Sequence, residues 1–275
     1  MWYNRRHLYY KGGFMALRLA VGFDEDGGDS FAPTVGPGTG YIGSTWWVQW
    51  ISGVHGGALG RDPHDTTESL SVINSGLSGL GALDTPSWTA MTVMAWVLPH
   101  DMAGSTERWP VVLMGSDHGD DGWMGWRIGN NSRRVASSFS GSLIETSTDI
   151  IADPTTWQHF CTTWDGTAQR LYIDGSEVAS GPVSGTLPAT THASIGAMYW
   201  SYGAQGVDDF RVYDEALSTA QINNLMTLAV GQEGDTSPVN KLSVGAAVPD
   251  KLYVGSTEVE RVYQGSTLVY GEDDG

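Results

Sequence analysis

Two adjacent aspartates, Asp208 and Asp209, stand at the head of an apolar strand-like run, GVDDFRVYDEALSTAQINNLM (206–226). Side chains alternate faces along a strand, so Asp208, Phe210 and Val212 share one face and Asp209, Arg211 and Tyr213 the other. Asp208 is therefore expected to point toward the core. A carboxylate in an apolar layer must be hydrogen-bonded, paired or bound to a cation, because an unpaired buried charge costs several kcal/mol. Asp209 is expected to meet Arg211 or solvent.

Other stretches concentrate polar or aromatic groups. GSDHGDDGW (115–123) carries Asp117, His118, Asp120 and Asp121, which suits either a second metal site or a solvated hairpin loop. STWWVQWISG (44–53) carries Trp46, Trp47 and Trp50, aromatic faces that stack on sugars or fill cores and subunit contacts. In MYWSYG (198–203), just before the last strand of the run, Tyr199, Trp200 and Tyr202 are the expected ligand-binding surface. Glycoside hydrolysis needs two carboxylates about 5 to 9 Å apart, yet no E-x-D-x-E or E-x-D-x-x-E run occurs. There is no G-x-S-x-G elbow either, and the histidines are scattered. His159, inside a strand run, reads as a satisfied structural histidine. The chain is read as having no catalytic residues, and as no enzyme.

The elements that must position these groups are short β-type runs punctuated by Gly, Pro, Asp and Ser from residue 17 to about 231. That spacing predicts an all-β sandwich. MTVMAWVLP is apolar on both faces, as a central strand covered on each side must be. RLYIDGSEV is a hairpin, because Asp174-Gly175 is the pair a type I′ turn prefers. One short helix is expected near 218–228. Ser218 and Gln221 form a capping box, Leu217 and Ile222 a hydrophobic staple, and Ile222, Leu225 and Met226 an apolar stripe that caps the sandwich end. GQEGDTSPVN (231–240) reads as a linker. Beyond it KLSVGAAV, KLYVGSTEV and RVYQGSTLV repeat at about ten residues, each copy read as one strand and a Gly-containing turn. The expected organisation is an arm over 1–15, a sandwich domain over 16–230, the linker, and a small β extension over 241–275. The arm lies upstream of the true start if translation begins at Met15.

Across 275 residues the formal net charge is −17, which argues against a nucleic-acid partner. The single cysteine, Cys161, excludes an intrachain disulfide and reads as core filling. No run reaches the roughly 18 apolar residues of a membrane span, and FMALRLAVGF lacks a cleavage site. Neither export by a signal peptide nor membrane insertion is expected.

Residues 17–228 resemble the laminin-G-like, concanavalin A-type jelly-roll family. The likeness rests on MTVMAWVLP, WQHFCTTWDGTAQRLYIDGSEV, ASIGAMYW and GVDDFRVYDEALSTAQI, in the family's order. GFDEDGGDSFAPTVG and GGALG resemble its opening strand and first loop. The resemblance implies a two-sheet antiparallel jelly roll with the beginning and end of the domain side by side. In many members calcium sits there, and carried over, its ligands are Asp208 with Glu25 or Asp24 opposite. Asp208 is then neutralised either by that cation or by backbone N–H groups of the first loop.

The C-terminal KLYVGSTEVERVYQGSTLVYG resembles short repeats at the ends of structural proteins of tailed phages. That resemblance implies a virion protein assembled in the host cytoplasm: tail fibre, spike or capsid decoration. Other virion proteins would be met through the arm or the repeat, and a host glycan is a candidate ligand. A homo-oligomer, with a trimer the first guess, is expected. A cellular carbohydrate-binding or adhesion module is the alternative, ahead of a glycan-active enzyme.

Overall fold

The computed structural model describes residues 17–25, 27–42, 48–61, 75–99, 108–115, 124–129, 133–151, 153, 155–183, 185–195, 197–198, 201–202 and 204–232, together with four short strands between 252 and 270. Two compact units divide at 236/237, inside the 231–240 segment. The first unit's strands begin with β1 (Leu17–Val21), β2 (Thr39–Ile42), β3 (Val48–Ser52), β4 (Gly57–Arg61), β5 (Ser75–Ser78), β6 (Met91–Pro99), β7 (Arg108–Gly115), β8 (Met124–Gly129) and β9 (Val135–Phe139). They continue with β10 (Ser142–Glu145), β11 (Gln158–Trp164), β12 (Ala168–Ile173), β13 (Ser176–Pro182), β14 (His192–Ile195), β15 (Ala197–Met198), β16 (Ser201–Tyr202) and β17 (Ala204–Tyr213), ahead of helix α1 (Thr219–Leu225).

An eight-stranded sheet runs β13-β12-β11-β6-β17-β4-β3, with β1 joined to β17. A seven-stranded sheet runs β10-β9-β8-β7-β14-β5-β2. All pairings within both are antiparallel. Val93, Ala95 and Val97 of β6, with Phe160 and Phe210, pack in one core cluster with Met114, Trp126, Ile128 and Ile195 of the other sheet. This is the expected two-sheet jelly-roll sandwich. β1 and β17 pair, Leu19 opposite Val212, so the domain's beginning and end lie side by side.

Strand β6 is apolar throughout because both its faces are covered. Met94 points away from the main core into a second apolar cluster with Cys161, Tyr172, Tyr213, Leu217, Ile222 and Leu225. Helix α1 therefore lies over the outer face of the eight-stranded sheet, not its end. Its start is the predicted capping box, with Ser218 N donating to Gln221 Oε1 at 2.8 Å and Gln221 N to Ser218 Oγ at 3.4 Å. Between β12 and β13, Asp174 (φ 49°) and Gly175 (φ 74°) both take the left-handed conformation that a type I′ turn requires. Among the described residues no helix is long and apolar enough to cross a membrane.

In the second unit β18 (Leu252–Val254) pairs with β19 (Thr257–Val259), and β20 (Val262–Gln264) with β21 (Thr267–Tyr270). Each of the last two repeat copies is thus a complete hairpin with Gly-Ser between its strands, where one strand and a turn was expected. A ten-residue period leaves room for two three-residue strands. The first copy (241–248), the arm (1–15), Trp46, Trp47 and the 116–123 loop fall outside the described residues.

Ile222 is fully buried beneath α1. Ile222→Ala should lower unfolding free energy by about 2–5 kcal/mol in urea titrations. A change within error would show that the helix does not cover this face in solution.

Candidate functional site

The pair of aspartates sits at a β-bulge. Asp208 lies opposite Trp96, but Arg211 lies opposite Met94, so three residues of β17 advance against two of β6. Asp209 absorbs the extra residue in a left-handed conformation, φ 50°. The bulge moves the alternation by one residue. Val207, Phe210 and Val212 face the main core, while Asp208 shares the opposite face with its cross-strand partner Trp96. Regular alternation had placed Asp208 with Phe210 and Val212; the inserted residue overturns that, and burial comes from the other side of the sheet.

Asp208, Asp209 and Arg211 are 0%, 1% and 0% exposed. Asp208 Oδ2 accepts the N–H groups of Val54 and His55 at 2.8 and 3.1 Å, from the turn between β3 and β4. That approach requires Gly53, where a Cβ would stand 2.4 Å from Asp208 Oδ2. Asp24 grips the same turn, accepting the Gly57 N–H at 3.0 Å. Asp209 Oδ1 accepts Val230 N–H at 2.8 Å, and its Oδ2 lies 3.8 Å from Arg211 Nη2 and 3.9 Å from His55 Nε2. Asp209 thus meets Arg211 and not solvent. Arg211 also donates to the Leu228 carbonyl. The Met226 carbonyl accepts from Trp96 Nε1 and, with the proton on Nε2, from His55, both at 3.2 Å. Residues 226–230 are thereby tied across the charged cluster.

Burial pushes the Asp208 carboxyl up to about 6, Asp209 adding to the shift and the backbone N–H groups opposing it. Burial also raises Asp209, against the pull of Arg211. His159 is fully buried, its ring edge-on to Trp96 at 5.3 Å and 71°, and neither ring nitrogen has a hydrogen-bond partner. Burial, then Arg211 and His55, hold it down to about 3. It is structural, as read from the sequence, but packed instead of hydrogen-bonded.

Asp24, Glu25 and Asp208 bear differently on a metal. Exposed Glu25 accepts the Ala32 N–H at 2.9 Å within its own loop. Asp208 Oδ1 is buried without a hydrogen-bond partner, and such an orphaned carboxylate oxygen fits a hard cation. Asp24 is the acidic neighbour across the turn. Among the described residues no three His, Cys, Asp or Glu side chains are placed to hold a metal together. Backbone carbonyls would have to complete the six to eight oxygens calcium takes. Sequence reasoning missed His55 and Trp96 here; the glycines flanking His55 in SGVHGG were the signal for the first.

Tyr199 and Trp200 lie outside the described residues. Tyr202 is in β16, opposite Ala197. Trp50 is partly buried against the core, its Nε1 donating to the Gly28 carbonyl at 3.1 Å.

The outer face of the seven-stranded sheet was not foreseen as a surface. One cross-strand row crosses all seven strands: Tyr41, Gly76, Ser194, Leu113, Gly125, Ser138 and Leu143. Tyr41, Gly76, Ser194, Gly125, Ser138 and Leu143 are flanked along their strands by residues of the core, such as Leu77, Ala193, Trp126 and Ile144, so these positions face away from it. Six strand spacings of about 4.8 Å give it a span of roughly 29 Å. Tyr41 (39%) and Leu143 (44%) are the exposed large apolar side chains among the described residues, and they stand at its two ends. Between them Gly76, Gly125 and Ser138 are buried small residues.

A family model described as "Concanavalin A-like lectin/glucanases superfamily" (Laminin_G_3) matches residues 78–223, just over half of the chain. No curated protein matches. Among solved structures, domain 4 of an extracellular arabinanase from Geobacillus stearothermophilus, in complex with arabinotriose, aligns with TM-score 0.53 at 22% identity, over 77% of this chain and 98% of that one. The receptor-binding domain of botulinum neurotoxin D aligns with TM-score 0.55 at 12% identity, over 77% of this chain and 52% of that one. Trypanosoma rangeli sialidase aligns with TM-score 0.54 at 14% identity, over 76% of this chain and 32% of that one. The chain thus spans about half of the toxin domain and a third of the sialidase. At these identities the likeness is one of fold.

His159 falls from an ordinary 6.5 to about 3 on folding. The unfolded chain therefore binds the extra proton in that interval, and the stability present above 6.5 is lost as pH falls through it. Asp208, raised from 3.8 to about 6, acts in the opposite sense, its contribution being lost as pH rises through about 6. His159→Phe should therefore flatten the acid-side loss of unfolding free energy between about pH 7 and pH 4.5. An unaltered pH slope in the variant would refute a neutral, buried His159.

Proposed function

The chain belongs to the concanavalin A-like lectin/glucanases superfamily, and from that premise we propose that it is a non-catalytic glycan-binding sandwich carried on a tailed-virus particle as fibre, spike or decoration. The observation that carries the binding half is the row from Tyr41 to Leu143, which sets an exposed large apolar side chain at each edge of the seven-stranded sheet. Two structural neighbours are described as complexed with arabinotriose and with N-acetylneuraminic acid, which supports a sugar as ligand.

The non-catalytic half is supported by the carboxylates. Asp208 and Asp209 are adjacent, buried and engaged by backbone N–H groups, unlike two carboxylates facing each other across an open groove. The virion half is supported by the C-terminal repeat. Two-stranded hairpins of three or four residues per strand are marginal alone in water, so they suit segments that order against other virion proteins or sister subunits. Near-complete coverage of the arabinanase domain favours a second reading, a carbohydrate-binding module of a cellular protein. Calcium, where bound, would be held by Asp208 through Oδ1 together with Asp24, and would neutralise charge at the turn.

A broad glycan array should show saturable binding by the full chain. Tyr41→Ala should weaken that binding about three- to tenfold, the worth of one aromatic contact. An array blank with and without calcium would remove the glycan reading and leave a structural protein. Excess chelator should lower the melting temperature by about 5–10 °C, as expected for loss of a ligand held at about a hundredfold over its Kd. An identical transition in chelator would show that backbone N–H groups alone satisfy Asp208.

A further inference from the structure

Tyr41 stands exposed at the β2 edge of the seven-stranded sheet, and its surroundings on that face narrow what it can bind. Its cross-strand partner is Gly76, where a Cβ would stand 2.8 Å from Tyr41 Oη and 3.1 Å from its Cζ. The glycine therefore lets the ring lie down on the outer face, one side on β5 and the other toward solvent, 39% exposed. Beyond Gly76 the same row reaches Ser194 of β14. In the other direction the Phe31 and Asp29 carbonyls accept the N–H groups of Gly40 and Ile42 at 2.9 and 3.0 Å, which sets Ser30 beside Tyr41. One row over, Thr39, Ser78 and His192 lie opposite one another. Ser30 and Thr39 are exposed, and Ser78 and Ser194 are half-buried. Thr191 and His192 beside them share a hydrogen bond at 2.9 Å, but these four hydroxyls meet no other described residue in one.

In a chain with 31 acidic and 14 basic residues, no Asp, Glu, Lys or Arg occupies any of these positions. Asp29, next to Ser30, is opposite core-facing Ile42 and so belongs to the other side. An aromatic face ringed by hydroxyls stacks on the C–H face of a sugar and exchanges hydrogen bonds with the sugar's own hydroxyls. An anionic ligand would instead meet the protein's negative field with no cation here to receive it. Further along the row Gly125 and Ser138 are buried, so contact is concentrated at the Tyr41 end. Three strand spacings of about 4.8 Å separate Ser30 from Ser194, roughly 14 Å, or about two to three linked sugar rings. We infer that the Tyr41 end of this face is a short subsite for a neutral oligosaccharide. Tyr41 carries the ring contact, and Ser30, Thr39, Ser78 and Ser194 take the sugar hydroxyls. This rests on the glycan-binding reading and narrows it to an uncharged ligand held over a short stretch.

The test titrates the full chain by calorimetry with cello-, manno-, galacto- and arabino-oligosaccharides, from monosaccharide to hexasaccharide, with oligogalacturonates of the same lengths, and with any neutral glycan that the array returns. At least one neutral series should bind, its affinity levelling off at the trisaccharide, and oligogalacturonate should bind severalfold more weakly. Tyr41→Ala should cost more affinity for that series than Leu143→Ser. The Ser78→Ala/Ser194→Ala double variant should weaken binding about three- to tenfold with its melting temperature retained. Affinity still rising at the hexasaccharide, equal losses at Tyr41 and Leu143, or acidic glycans bound as tightly as neutral ones or alone would overturn the inference while the glycan reading stands. Failure of every chain together with a blank array would remove both. If the double variant does not fold, the length series and the Tyr41 comparison still decide.

Discussion

Three charged side chains, Asp208, Asp209 and Arg211, are buried in four consecutive residues of one strand, and the surrounding architecture is what makes that tolerable. Removing such charges from water costs several kcal/mol each unless hydrogen bonds and opposite charge replace the lost hydration. The replacements here come from elements far apart in sequence. Two N–H groups of the β3–β4 turn serve Asp208, the N–H of Val230 serves Asp209, and the Leu228 carbonyl serves Arg211. Desolvation thus becomes a device for holding the β3–β4 turn and the segment after α1 in one place.

The same cluster decides what lies over the outer face of the eight-stranded sheet. Polar groups of β17 and β6 hold residues 226–230 across the eight-stranded sheet, and α1 covers Met94, Cys161, Tyr172 and Tyr213 next to them. Beneath that cover the sheet is buried on both sides, and His159 sits neutral within it. The seven-stranded sheet has no comparable helix among the described residues. Exposed Tyr41 and Leu143 stand at its two edges.

The C-terminal unit follows a different logic. Its hairpins are short, and each pairs only within itself among the described residues. Such units gain little from burial of their own.

Local features were legible in the sequence because neighbours in sequence create them. The Asp174-Gly175 turn, the Ser218–Gln221 box, the two-faced strand over 91–99 and the burial of Cys161 all follow from a few adjacent residues. The side of the sheet on which Asp208 lies was not legible. One left-handed residue at Asp209 reverses the alternation, and nothing in VDDFRV distinguishes a bulge from a regular strand. Nor was the row joining Tyr41 to Leu143, because its members come from seven strands spread over more than a hundred residues. The sequence by itself determined the sandwich, its turns and its helix, through periodicity and local hydrogen bonding. Only the tertiary structure decided which carboxylates are buried and what satisfies them, because register and packing between distant strands set those.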